Sequence, residues 1–175
     1  MINERIERIL NEQISKEFYS AYMYLGMSCY FIHEGLEGFQ HWLKIQAKEE
    51  CKHAMMITEY LIARDGKVSL AALEMPPKDW DCPLCAMEYA LNHEKSVTQS
   101  INDIYDLADA ENDKATMNFI DWFIDEQVEE EASFKKIITK LQKAGDNQSG
   151  WLLIDQELAE RKYECNCGCN CGCHD

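Results

Sequence analysis

Four segments carry apolar residues at alternating three- and four-residue steps, and a carboxylate breaks each apolar stripe near its middle. The segments span residues 4–33, 38–65, 83–110 and 114–142. The first stripe reads Ile6, Leu10, Ile14, Glu17, Ala21, Tyr24, Ser28, Phe31. The second reads Phe39, Leu43, Gln46, Glu50, His53, Ile57, Tyr60. The third is Met87, Leu91, Glu94, Val97, Ile101, Ile104, Ala108, and the fourth Ile120, Phe123, Gln127, Glu130, Phe134, Ile137, Leu141. That period marks one face of an amphipathic helix, which is stable only when packed against others. The chain is therefore expected to be all-α, with a fifth, shorter helix over 148–162 carrying Trp151, Leu152, Asp155 and Leu158.

The connections set the topology. Gly35 and Gly38 separate the first two segments, Asn112-Asp113 separates the last two, and Gly145 ends the fourth. Short links make each of these pairs antiparallel. The link from Lys67 to Asp81 is long and contains Pro76-Pro77. A helix of this size is roughly 42 Å long at about 1.5 Å per residue, and the extended link reaches roughly 50 Å. It can run the whole bundle and leave helices two and three parallel, giving a four-helix bundle with one long crossover.

Helix midpoints share one height whichever way the helices run. Glu17, Glu50, His53, Glu94, Gln127 and Glu130 should therefore converge in the core. Unpaired buried carboxylates are costly, and the stripes hold no Lys or Arg to pair with them. Four carboxylates balance two divalent cations, and oxygen ligands with one imidazole suit iron or manganese. The pattern is close to the dinuclear one of ferritin-like bundles, with Gln127-Val128-Glu129-Glu130 where a second Glu-x-x-His is usual.

Composition narrows the partners. There are 17 basic and 32 acidic residues, a formal charge of −15. That argues against nucleic acid and anionic membrane and suits cations. No apolar run has the length of a membrane span, and the N-terminus lacks a signal-peptide pattern, so a cytoplasmic location is expected.

Glu49-Glu50-Cys51-Lys52-His53, the Pro76-Pro77 loop and Asp125-Glu126-Gln127-Val128-Glu129-Glu130-Glu131 resemble the bacterial non-haem ferritins, over residues 1–162. The resemblance implies a 24-subunit iron-storage shell with ferroxidase activity toward Fe(II), using dioxygen or hydrogen peroxide. Glu17, Glu50 and His53 would hold one iron, with Glu50 bridging. Glu94 and Glu130 would hold the second, with Gln127 nearby. Glu49, Glu126 and Glu129, with Glu130, resemble a third iron site; from the residues alone they could equally be a solvated acidic face. Lys52 stands where haem-carrying relatives have a methionine ligand, so no haem is expected despite Met55 and Met56. Tyr24, two turns beyond Glu17, could hydrogen-bond the site or pass an electron. Trp122 could do the same, although core packing explains it as well. Met117 and Ile120 at the start of helix four argue against an acidic threefold channel.

Five of nine cysteines fall in the last eleven residues. Cys165, Cys167, Cys169, Cys171, Cys173 and His174 form a tail, 163–175, read as a flexible thiolate segment that could bind metal. Cys82 and Cys85 form a single Cys-x-x-Cys at the start of helix three. A helix N-terminus lowers thiol pKa, but the pair is read as a surface feature without chemistry. Cys29 and Cys51 read as ordinary helix residues, and the cysteines in general as thiols or metal ligands rather than disulfides. Two other functions fit the sequence: a rubrerythrin-like di-iron peroxidase, and a thiolate metal-delivery protein acting through the tail.

Overall fold

Side chains that satisfy the first free backbone N–H groups fix where several helices begin. Asn3 accepts from Arg5 N and starts α1 (Glu4–His33). Asp113 accepts from Thr116 N and starts α4 (Lys114–Ala144). Asn147 caps α5 (Gln148–Leu158) through Ser149 N and Gly150 N. Helix α2 (Glu37–Ala63) has no side-chain cap and follows Gly35, whose φ of 73° turns the chain. Cys82 caps α3 (Pro83–Ala110). The computed structural model describes residues 2–163. The expected tail ligands from Cys165 to His174 lie outside that range.

Two boundaries differ from expectation. Helix α2 stops at Ala63, because Asp65 takes a left-handed φ of 59°. Helix α5 stops at Leu158, short of 162. The chain beyond it is held by side chains instead: His41 Nε2 donates to Arg161 O at 2.8 Å, and the Arg161 guanidinium lies 4.3 Å from the Trp42 ring.

Contacts at one end of the bundle establish the chain directions. Arg5, at the start of α1, pairs with Glu111, just past α3. Arg64, just past α2, pairs with Asp113, just before α4, at 2.9 Å. Both α2 and α3 therefore finish at this end and run parallel. The crossover returns along α1. Ser69 N donates to Asn11 Oδ1 at 2.6 Å, Asn11 Nδ2 donates to Lys67 O at 2.9 Å, and Pro76 lies over Gly26.

Two apolar clusters fill the bundle. One contains Met23, Phe31, Phe39, Leu43, Met87, Phe134 and Leu141. The other contains Ile6, Leu10, Ile14, Ile57, Leu61, Ile101, Ile104 and Ile120. Ile120 is fully buried, so it lines no channel and its bearing on a threefold channel is withdrawn; Met117 is only partly buried. The described residues contain no helix long and apolar enough to cross a membrane.

Helix α5 docks where α2 begins. Phe39 N donates to Asp155 Oδ1 at 2.9 Å, and a Cβ on Gly38 would lie 1.7 Å from Asp155 O. That atom is backbone and cannot swing aside. Gly38→Ala should displace α5 or cost about 1–3 kcal/mol. Limited proteolysis reads this as faster cleavage after residue 145; an unchanged pattern and unchanged stability would refute the docking.

Candidate metal centre

Between the two apolar clusters lies a buried polar layer, built from one turn of each long helix. Glu17 (1% exposed) comes from α1, Glu50 (2%) and His53 from α2, Glu94 (1%) from α3, and Gln127 and Glu130 (7%) from α4. One ligand atom each from Glu17, Glu50 and His53 lie within 4.8 Å of one another. His53 Nδ1 is 3.3 Å from Glu50 Oε2. Tyr24 OH donates to Glu94 Oε1, and Gln127 Nε2 donates to Glu94 Oε2 at 3.1 Å. The mid-helix carboxylates thus meet at one level.

Two amides outside the expected site residues hold these groups. Gln13 Nε2 donates to Glu17 Oε1 at 2.7 Å and is itself fixed by Ser100 Oγ at 2.7 Å. Gln46 Nε2 donates to Glu130 Oε2 at 2.5 Å and reaches Glu50 Oε1 at 3.4 Å. A repeated signal marks them in the sequence: Gln13-x-x-x-Glu17 and Gln46-x-x-x-Glu50 put an amide one turn before each carboxylate.

Among the described residues, Glu17 Oε2 is the buried side-chain oxygen without a donor. The neighbouring Glu50 carboxyl faces it, and that interaction helps raise its pKa. Burial first, then the Glu50 charge, push Glu17 up to about 8. Burial and the Glu94 charge push Glu50 up to about 8. Burial lifts Glu94 to about 7 against the hydrogen bonds from Tyr24 and Gln127. Burial first, then the Glu50, Glu94 and Glu49 charges, hold Glu130 well above the usual carboxylate range. The donor set, carboxylate oxygens with one imidazole and a donorless oxygen, fits a hard divalent metal such as iron or manganese.

Glu49, Glu126, Glu129 and Glu130 line one cavity of about 780 Å³, with Lys52, Met55, Met56 and Trp122 on its walls. It opens where α2 and α4 stand apart: no Cα of one lies within 8 Å of a Cα of the other. Trp122 packs edge-on to His53, with centroids 5.4 Å apart. The stripes hold no Lys or Arg, but a cation reaches the edge of the site from outside them. Arg161, from beyond α5, donates to Gln46 Oε1 at 2.8 Å and to Glu49 Oε2 at 2.5 Å. It was missed because it lies outside the four stripes.

Cys82 and Cys85 also depart from expectation, forming a disulfide with Cα atoms 5.1 Å apart. The first turn of α3, with Pro83 at its first position, brings the two side chains within bonding range. Cys29 and Cys51 are free and exposed.

Two antiparallel helix pairs joined by one long crossover around a four-carboxylate core define a helical bundle of the ferritin-like class. The chain belongs to the ferritin family: the ferritin-like domain matches residues 7–144. It is 42% identical over 161 residues to the bacterial non-heme ferritin of Bacteroides fragilis, covering 92% of this chain and 100% of that protein. It is 36% identical over 164 residues to that of Staphylococcus saprophyticus, covering 94% and 98%. An open pore ferritin from the hyperthermophilic archaeon Archaeoglobus fulgidus superimposes with a TM-score of 0.91 at 44% identity, covering 93% of this chain and 99% of that chain.

The raised carboxylates set a pH dependence. Without metal, the folded protein binds more protons than the unfolded chain between the ordinary glutamate value of 4.5 and about 8. Their stabilising contribution is full below pH 4.5 and is lost as pH rises through about 7 to 8. The melting temperature of metal-free protein should therefore fall across this window, and Glu17→Gln should flatten part of the fall. An identical slope in the variant would contradict the assignment.

Proposed function

We propose that this chain is an iron-storage subunit that oxidises Fe(II) at the buried carboxylate layer and assembles with copies of itself into a 24-subunit shell around ferric mineral. The observation that carries the reading is the donorless Glu17 Oε2, buried within reach of Glu50 and His53. Membership of the ferritin family supports storage as the role.

In this reading Glu17, Glu50 and His53 hold one Fe(II), Glu50 bridges, and Glu94 and Glu130 hold the second. Glu49, Glu126 and Glu129, with Glu130, offer a third position in the adjoining cavity. Iron is here the substrate. Two Fe(II) give up one electron each, and one dioxygen takes both with two protons to leave hydrogen peroxide. The carboxylates favour the harder Fe(III) product. Because Glu17 and Glu50 are raised to about 8, Fe(II) displaces protons from them when it binds near neutral pH. Gln13 occupies one oxygen of Glu17 and leaves the other for metal. Gln46 ties Glu130 to Glu50 and sets the separation of the two positions. Tyr24 orients Glu94 and stays protonated, since burial and the Glu94 charge push its phenol well above the ordinary range. Hydrogen peroxide as an alternative oxidant and a cytoplasmic location complete the proposal.

The test is anaerobic Fe(II) addition at many irons per subunit, then air, then size exclusion with iron analysis. Iron should co-elute with a large shell, far above two per subunit. Iron limited to two or three per subunit in a small species would refute storage. Gln46→Leu should slow the initial oxidation by about 10- to 100-fold, as loss of a group that orients a metal ligand does. An unchanged rate would remove Gln46 from the machinery.

A further inference from the structure

The Cys82–Cys85 pair has no part in the proposed oxidation, yet a run of aromatic rings leads from Trp80, two residues before it in the chain, toward the metal centre. Cys82 is the N-cap of α3, and its Sγ accepts from Cys85 N at 3.1 Å. Backbone N–H groups and the helix dipole stabilise a thiolate at such a position. Both cysteines are only partly buried, so an external thiol can reach them.

Trp80 lies two residues before Cys82, at most about 7.6 Å away between Cα atoms. Its ring is 5.9 Å from that of Tyr89. Burial first, then the neighbouring Tyr19 hydroxyl, push the Tyr89 phenol up, which sets the two tyrosines side by side. Tyr19 is 5.6 Å from the His93 ring, and His93 is 6.4 Å from the Tyr24 ring, edge-on. Tyr24 donates to Glu94, a carboxylate of the metal centre. His93 is itself pinned by Ser20 Oγ at 2.7 Å. Packing alone would be served by any large apolar side chains. Here three members are tyrosines and one is tryptophan, the side chains that pass single electrons most readily. The other ring contacts of Trp80 lead through Tyr30 to Phe31 and Phe39 and stop in the apolar core.

We propose that Cys82 and Cys85 are a redox-active dithiol–disulfide couple that returns electrons to ferric iron at the dinuclear centre through Trp80, Tyr89, Tyr19, His93 and Tyr24. This adds a reductive, iron-mobilising activity to the chain and rests on the dinuclear reading above. The step balances. The dithiol loses two electrons and two protons and closes its sulfur–sulfur bond, while two Fe(III) take one electron each and become two Fe(II). The protons leave to solvent. An external dithiol reopens the disulfide by thiol–disulfide exchange and is itself oxidised.

The test uses assembled protein carrying two Fe(III) per subunit, under anaerobic conditions with a ferrous chelator, and dithiothreitol as reductant. Wild type is compared with Cys82→Ser/Cys85→Ser and with Tyr19→Phe, which keeps the ring packing but removes the hydroxyl beside Tyr89. The tail cysteines stay in place throughout, so iron reduced by them appears equally in all three proteins. The double variant should lose most of the initial Fe(II) release. Tyr19→Phe should fall to the same level, although alkylation shows its Cys82–Cys85 disulfide opened by dithiothreitol. Both should oxidise Fe(II) with dioxygen at the wild-type rate. Release from either variant as fast as from wild type overturns the proposal while leaving the dinuclear reading intact. Failure of wild type to oxidise Fe(II) overturns both.

Discussion

Four carboxylates enclosed between two apolar clusters, with no Lys or Arg among them, are the constraint around which the rest of this structure is arranged. Ionised together they repel one another and lose their hydration, a combination that a protein interior does not tolerate. The metal-free chain resolves this by holding protons, which is why Glu17, Glu50 and Glu94 are raised to between about 7 and 8. Two divalent cations resolve it more completely, because they replace protons with charge. The same layer is therefore a weakness of the empty protein and the source of the metal affinity proposed for it.

The architecture serves that layer. Short turns pair α1 with α2 and α3 with α4, and the crossover along α1 makes the two middle helices parallel. Each helix then contributes its central turn at one height. The bundle is not equally tight all round. It closes between α1 and α3 and opens between α2 and α4, leaving the acidic cavity against Glu130 and His53. Arg161 anchors the segment after α5 to the wall of that cavity, through Glu49, Gln46 and Trp42. The C-terminal part of the chain is thus fastened next to the acidic residues proposed to take a third iron.

Much of this was legible in the sequence because period and midpoint are geometric quantities. Glu17, Glu50, Glu94 and Glu130 could be brought together from spacing alone, and the long link from Lys67 to Asp81 could be read as a crossover from its reach. Contacts made across the chain were not legible. Arg161 lies outside every stripe, and its guanidinium comes to Glu49 only because α5 folds back on α2. The Cys82–Cys85 disulfide was set aside because the expected cytoplasmic location argued for free thiols, whereas the first turn of α3 puts the two Cα atoms 5.1 Å apart. Ile120 was placed at a channel by its position along α4, when its direction puts it in the core. Gln13 and Gln46 were visible as a repeated spacing, yet their role emerges only when the carboxylate oxygens they occupy are known.

The central claim, that these carboxylates exchange protons for a pair of divalent ions, is tested most directly by anaerobic titration of metal-free protein with Fe(II) near pH 7. Bound iron and released protons are measured together, and calorimetry is repeated in buffers of different ionisation enthalpy. Two tightly bound Fe(II) per subunit should release protons, with the release shrinking as the pH is raised above the Glu17 and Glu50 values of about 8. Tight binding with no proton release at pH 7, or no tight binding at all, would contradict the account.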